Sequence, residues 1–166
     1  MNIQITKPKV EDAAQLAKIC KQTYTEAYGY VHQPKVLQFY LNQSFNNEII
    51  TTSLKDEKHQ FLIAKVDGEM VGYAHLFIEN KVGHLERIYI LRSWIGKGIG
   101  KILLQKIIQV AANKSCSSIQ LSVWTEDERA IEFYKRAEFE ITSTKIRSYN
   151  NEKYNHFIMK KSFPLS

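Results

Sequence analysis

The chain has 166 residues, 44% of them hydrophobic and 24% charged, which suits one domain over 1–166 that buries about 70% of its unfolded surface. Lysine and arginine exceed aspartate and glutamate by 23 − 17 = 6, a balance that favours an anionic partner, but no long basic run with interleaved aromatics and no known nucleic-acid motif is present, so no nucleic acid is expected. No stretch approaches the roughly 18 unbroken apolar residues of a membrane span and the start M-N-I-Q-I-T-K-P lacks a signal-peptide core, which predicts a cytoplasmic protein with no membrane partner.

Residues 2–7 alternate Ile3 and Ile5 with polar neighbours and stop at Pro8, the pattern of a short strand. Residues 11–28 place Ala14, Leu16, Ile19, Cys20 and Tyr24 at helical spacing, and a less regular helical zone runs from Pro34 to about Leu54. Residues 60–66 and 70–77 are apolar strands joined by Asp67-Gly68, a two-residue hairpin signal. Gly83 opens the next strand, in which Leu85 is out of phase with Ile88 and Ile90; a β-bulge near Arg87 would restore the phase. After it come Gly96, Gly98 and Gly100, then a helix with Ile99, Leu103, Leu104, Ile107, Ile108 and Ala111 on one arc. Ile119, Leu121 and Val123 alternate with Gln120, Ser122 and Trp124 in a further strand. A helix over 128–137 and strands near 139–147 and 155–161 complete an α/β chain with a mixed sheet. Cys20 and Cys116 are isolated, which suits reduced thiols, and the histidines show no metal-ligand spacing.

The strand, glycine turn and helix start over 87–101 form one physical device. The first four N–H groups of a helix lack internal partners and the peptide dipoles leave about half a positive charge there, so a phosphate fits. Lys97 and Lys101 add mobile positive charge, and Arg92 sits just ahead. A Walker A loop fails, because Lys97 precedes Gly98 with no Ser or Thr in place. A dinucleotide fingerprint needs G-x-G-x-x-G, and the spacing is G-x-G-x-G. A solvated βα turn is the plain alternative for an isolated glycine trio.

The window from Ile95 to Gly100 resembles the pyrophosphate loop of the GNAT N-acetyltransferases, [QR]-x-x-G-x-[GA], with Ile95 where that family has Gln or Arg. Residues 123–139, V-W-T-E-D-E-R-A-I-E-F-Y-K-R-A-E-F, are similar to the family's next signature, an Asn-x-x-Ala-x-x-[FL]-Tyr helix ending near Gly-Phe. Asp127 stands at the Asn position and Glu138 at the Gly. The resemblance implies a single-domain fold with a central, mostly antiparallel sheet flanked by helices. It also implies acetyl-CoA as cofactor and a bulge that splays two parallel strands, so that the pantetheine arm pairs with backbone at Ile88, Tyr89 and Ile90. Arg92, Gly96, Lys97, Gly98, Ile99, Gly100 and Lys101 would then surround the pyrophosphate, with Asp127 and Tyr134 on the following helix and Arg136 toward the adenosine phosphate.

Acetyl transfer to an amine asks for a base at the ammonium and an acid at the departing thiolate. The resemblance gives Tyr134 as the acid, against a core tyrosine as the plain alternative. Glu86 is the candidate base, against an exposed or Arg-paired glutamate, and His84 is its neighbour. Asp127 is also a strong helix N-cap, and a left-handed Glu138 costs roughly 1 kcal/mol, which predicts a rebuilt turn there. T-Y-T-E-A-Y at 23–28, Q-F-Y-L-N-Q-S-F-N at 38–46 and L-E-R-I-Y-I at 85–90 resemble the PaiA-type polyamine acetyltransferases. That likeness implies a small amine substrate such as spermidine or spermine, met by Glu26, Glu48 and Glu86 beside Tyr24, Tyr28 and Tyr40, in a monomer or homodimer. A non-catalytic acyl-CoA-binding or regulatory module, and an N-acetyltransferase acting on amino acids or protein N-termini, are the alternatives.

Overall fold

The Asp67-Gly68 signal becomes a two-residue turn with φ of 49° and 86°, the doubly left-handed form that matches strand twist. It joins β2 (His59–Val66) to β3 (Glu69–Glu79) in a computed structural model that describes residues 1–149 and 151–164. β1 is Ile3–Thr6, β4 is Val82–Ile90, β5 is Ser118–Trp124, β6 is Glu140–Tyr149 and β7 is Glu152–Ser162. They form one seven-stranded sheet in the order β1-β2-β3-β4-β5-β7-β6. Every pair is antiparallel except β4 with β5.

Helices cover both faces, and each face has its own core. On one lie α1 (Ala13–Tyr28), α2 (Pro34–Ser44) and α3 (Asn47–Lys55), packing Leu16, Cys20, Phe45 and Ile50 onto Phe61, Ile63 and Tyr73. On the other lie α4 (Ile99–Asn113) and α5 (Glu128–Arg136), whose Leu103, Leu104, Ile107 and Ile131 meet Leu62, Leu76, Leu85, Ile119 and Leu121. The irregular zone over 34–54 resolves into α2 and α3 because Asn46 caps the second: its side-chain oxygen accepts from the Ile49 amide at 2.8 Å.

The β3–β4 register shifts between His75 and Leu76, so that His75 faces Arg87 and Leu76 faces Leu85. Glu86 is therefore the extra residue of a bulge, and Leu85, Ile88 and Ile90 all pack toward α4 as the phase argument required. The turn after α5 is not rebuilt: Glu138 keeps a left-handed φ of 69°, and its carboxylate pairs with Lys161 at 3.2 Å. The chain thus accepts the strain that glycine would avoid.

Candidate active site

Parallel pairing of β4 with β5 covers only Val82–Ser118, Gly83–Ile119 and His84–Gln120. Past the bulge the two strands separate, and a cleft of about 980 Å³ opens between residues 85–90 and residues 122–124, bounded by α1, α5 and the start of α4. Ile88 and Ile90 commit their side chains to the α4 core and Tyr89 packs its ring against Tyr24 and Tyr28. The β5-facing backbone of that segment is left toward the cleft.

At one end of the cleft is the glycine turn. Gly98 is the N-cap of α4 with φ 83° and Gly96 has φ 86°, and a Cβ on either would meet no heavy atom within 4 Å. No side chain caps the helix and its first turn carries no carboxylate. The left-handed glycines and uncapped amides thus leave an open concave anion site, which fits a pyrophosphate. Gly96, Gly98, Gly100, Lys101 and Arg92 line it. Lys97 and Ile99 do not: the Lys97 ammonium lies 4.6 Å from the Trp94 ring centroid, and Ile99 is buried in the core, so only their backbone faces the turn. Arg92 is also occupied, since its amide donates to a Glu26 carboxylate oxygen at 3.1 Å and its guanidinium to the Glu26 carbonyl.

Asp127 joins α5 to α1. One carboxylate oxygen accepts from the Ala130 amide at 3.1 Å, capping α5, and the other accepts from the Tyr28 hydroxyl at 2.6 Å. Tyr134 lies one face along the same helix, half-buried in the cleft wall, with its ring 5.3 Å from that of Phe133. Burial, and then the Asp127 charge, push its hydroxyl well above the ordinary tyrosine range, so it keeps its proton at neutral pH.

At the far end the Tyr24 ring lies tilted against that of Tyr40, with centroids 4.6 Å apart, and its hydroxyl shares a 2.9 Å hydrogen bond with His32. Glu86 is exposed on the cleft and makes no hydrogen bond or ion pair among the described residues. Glu48 sits in the first turn of α3, away from the cleft, so the acidic patch expected from Glu26, Glu48 and Glu86 does not assemble. Arg87 was not singled out by the sequence reading. Its guanidinium lies 4.7 Å from the Phe45 ring centroid and 3.5 Å from the Tyr40 hydroxyl, in the cleft wall. Ser122, Trp124, Arg147, Tyr154 and His156 were also missed. The alternation of β5 holds the signal for the first two, because burial of Ile119, Leu121 and Val123 turns Ser122 and Trp124 to the other face.

Both cysteines are buried away from the cleft, and burial pushes Cys20 up to about 12, so neither offers a thiolate nucleophile. Among the described residues no group of three His, Cys, Asp or Glu side chains is arranged for a metal, and no helix is long and apolar enough to cross a membrane.

Residues 16–139 match the family described as Acetyltransferase (GNAT) family. An uncharacterized N-acetyltransferase of Lactobacillus delbrueckii subsp. lactis is 23% identical over 96% of this chain and 97% of its own. The spermidine N(1)-acetyltransferase of Thermoplasma acidophilum is 22% identical over 87% of this chain and 92% of its own. The crystal structure of the PaiA N-acetyltransferase from Thermoplasma acidophilum in complex with coenzyme A superposes with a TM-score of 0.87 at 22% identity, covering 98% of this chain and all of that one, at 100%.

Proposed function

The chain belongs to the GNAT family of acetyltransferases, an acetyl-CoA-dependent class, and we propose that it transfers acetyl directly to a primary amine held beside Glu86. The observation that carries this reading is one continuous cleft: it runs from the open glycine turn at Gly96 and Gly98, along the unpaired edge of β4, to Tyr134 and Glu86. Acetyl-CoA would supply the acetyl group as an activated thioester: the C–N bond forms to the neutral amine as the C–S bond breaks, coenzyme A is the leaving group, and the second amine proton ends on its sulfur or in water. The amides at the start of α4 and Lys101 hold the pyrophosphate, and the β4 backbone over 88–90 aligns the extended arm. Glu86 Oε takes a proton from the ammonium, directly or through water, and the Tyr134 hydroxyl donates to the sulfur as charge develops there. The high pKa of Tyr134 makes it a hydrogen-bond donor that stabilises the thiolate without complete proton transfer. With both thiols buried away from the cleft, direct transfer is favoured over an acyl-enzyme.

Tyr134→Phe tests this reading, since it removes one hydroxyl and little volume. Turnover should fall by about 10²- to 10⁴-fold with acetyl-CoA affinity retained. Near-normal kcat would make Tyr134 a packing residue.

A polyamine is the finer acceptor reading. The likeness to the spermidine N(1)-acetyltransferase of Thermoplasma acidophilum supports it, as do the ring faces of Tyr24, Tyr28 and Tyr40, which attract ammonium groups. Against it stand the guanidinium groups of Arg87 and Arg147 in the same wall, with Glu86 as the counterweight. A screen for coenzyme A release with spermidine and spermine beside simple amines separates a polyamine preference from a general amine one.

A further inference from the structure

The bulge that turns Glu86 to the cleft is backed by two histidines that the transfer reaction itself does not use. His75 stands opposite Arg87 in the β3–β4 register, Leu76 stands opposite Leu85, and Glu86 falls between the two pairs. Directly opposed residues of an antiparallel pair share a face, with Cβ atoms about 5 Å apart. The His75 imidazole lies on the Phe61 ring with centroids 4.0 Å apart and 9° between the planes. Its Nε2 is 2.8 Å from Nδ1 of His59. His75 is buried, whereas His59 is half-buried and opens onto a small surface pocket beside the ends of β1 and α3.

Two neutral rings at this distance hold one N–H between them, the tautomer deciding which ring donates. A further proton, taken from water at the outer ring, makes the pair a cation, and the bridging hydrogen passes that charge to the imidazole next to Arg87. Among the described residues no carboxylate oxygen lies within 4.0 Å of His59, His75 or Arg87. The titratable groups around Arg87 are the Cys20 thiol of α1, the Tyr40 hydroxyl of α2 and the hydroxyls of Tyr73 on β3 and Tyr89 on β4. Glu86 beside it is exposed on the cleft. Around His59 the pocket carries Lys7, Lys55, Asp56 and Glu57, and the Phe77 ring, 4.9 Å from His59, stands between the pair and His84. Burial first, then Arg87 and His59, hold His75 well below the ordinary histidine range, so the folded state disfavours the extra proton and the neutral pair is lost as pH falls. Like charges opposed across two strands are destabilising, and a bulge is where the ladder is already interrupted.

Resting on the proposed transfer to an amine beside Glu86, we infer that His59 and His75 are an acid-sensitive positioning pair: neutral, they hold Arg87 and the bulge so that Glu86 faces the cleft; protonated, they set a cation against Arg87, displace the bulge and slow the transfer.

His75→Gln keeps a polar atom at the Nε2 position and His59→Asn keeps one at the Nδ1 position, so each preserves the hydrogen bond without a titrating ring, whereas His75→Leu removes it. In proton–nitrogen correlation spectra of the unaltered protein, the backbone amides of Leu76 and Arg87 should shift with the His75 imidazole as pH falls from about 7.5 to about 5, and that component should vanish in His75→Gln. Coenzyme A release with spermidine and with butylamine gives the second readout. The kcat/KM of His75→Gln or His59→Asn, divided by that of the unaltered protein at the same pH, cancels the titration of the amine and of Glu86. This ratio should rise about fivefold or more between about pH 7.5 and 5.5, within the limit of about tenfold per pH unit for one proton. His75→Leu should lower kcat/KM about tenfold at neutral pH with acetyl-CoA affinity unchanged, and His75→Gln should restore most of it. Amides that ignore the His75 titration, or a ratio flat with pH, overturn the inference and leave acetyl transfer standing. The spectra of the unaltered protein and the His59→Asn ratio decide the matter even if His75→Gln fails to fold. Acetyl-CoA binding with no amine acetylated at any pH removes the underlying reading, and this inference with it.

Discussion

Asp127, one of three departures from the family pattern, joins two helices through its carboxylate, so its replacement is a sharp test of the packing between α1 and α5. In Asp127→Ala the α5 N-terminus loses the 3.1 Å acceptor of the Ala130 amide, worth about 1 kcal/mol for a typical cap. The part-buried Tyr28 hydroxyl loses its 2.6 Å acceptor, and an orphaned polar group costs about 1–3 kcal/mol. The sum is about 2–4 kcal/mol, or roughly 5–15 °C in Tm for a chain of this size. Asp127→Asn keeps its one oxygen for the cap and puts an NH2 donor beside Tyr28, whose hydroxyl oxygen can accept from it, so at the cost of the charge it should lose only about 1 kcal/mol. Tyr28→Phe leaves the cap intact, and combined with Asp127→Ala it should be less than additive, because the orphaned hydroxyl is gone. Urea titrations of these four variants beside the unaltered protein, read as midpoint at constant slope, measure all of this. If Asp127→Asn were as damaging as Asp127→Ala, or the double variant were additive, the shared carboxylate would not be what joins the two helices.

Acetyl-CoA at a hundredfold excess over its Kd should stabilise the protein by about 2.7 kcal/mol. Gly98→Val, which forces a β-branched residue to φ 83° and puts a side chain into the open turn, should abolish that thermal shift; a shift of unchanged size would remove the cradle from the mechanism. Glu138→Gly relieves a φ of 69° at roughly 1 kcal/mol and loses only an exposed ion pair with Lys161, so Tm should rise by a few degrees, and a fall would show the pair to outweigh the strain. Burial, Arg87 and His59 hold His75 well below its ordinary pKa, and burial lowers His32 and His156 too. The unfolded chain then binds more protons below pH of about 6.5, so stability should be lost as pH falls from there, at up to about 1.4 kcal/mol per unit for each histidine. His75→Phe should flatten the slope measured by Tm between pH 7 and 5.

Local signals carried most of the architecture, because each depends on neighbours in the chain. Asp67-Gly68 specifies its turn by backbone preference, the period of α4 specifies its buried arc, and the clash of phase among Leu85, Ile88 and Ile90 leaves a bulge as the way to bury all three. The glycine turn ahead of α4 and the helix that carries Tyr134 were legible as local elements for the same reason, whereas the roles given to them came from the resemblance to the GNAT acetyltransferases. The acceptor end was not. Whether Glu26, Glu48 and Glu86 converge depends on how α1 and α3 lie against β4. There Glu48 is turned away and Glu26 is taken by Arg92. Arg87, next to a residue read as the base, gave no sign in the sequence of a place in the cleft wall, because its ring partners come from α2 and the loop after it, at Tyr40 and Phe45. Strand and turn are set by bonds between residues a few positions apart; the charge of a cleft is set by side chains brought together from across the chain, and only the packed structure fixes that sum.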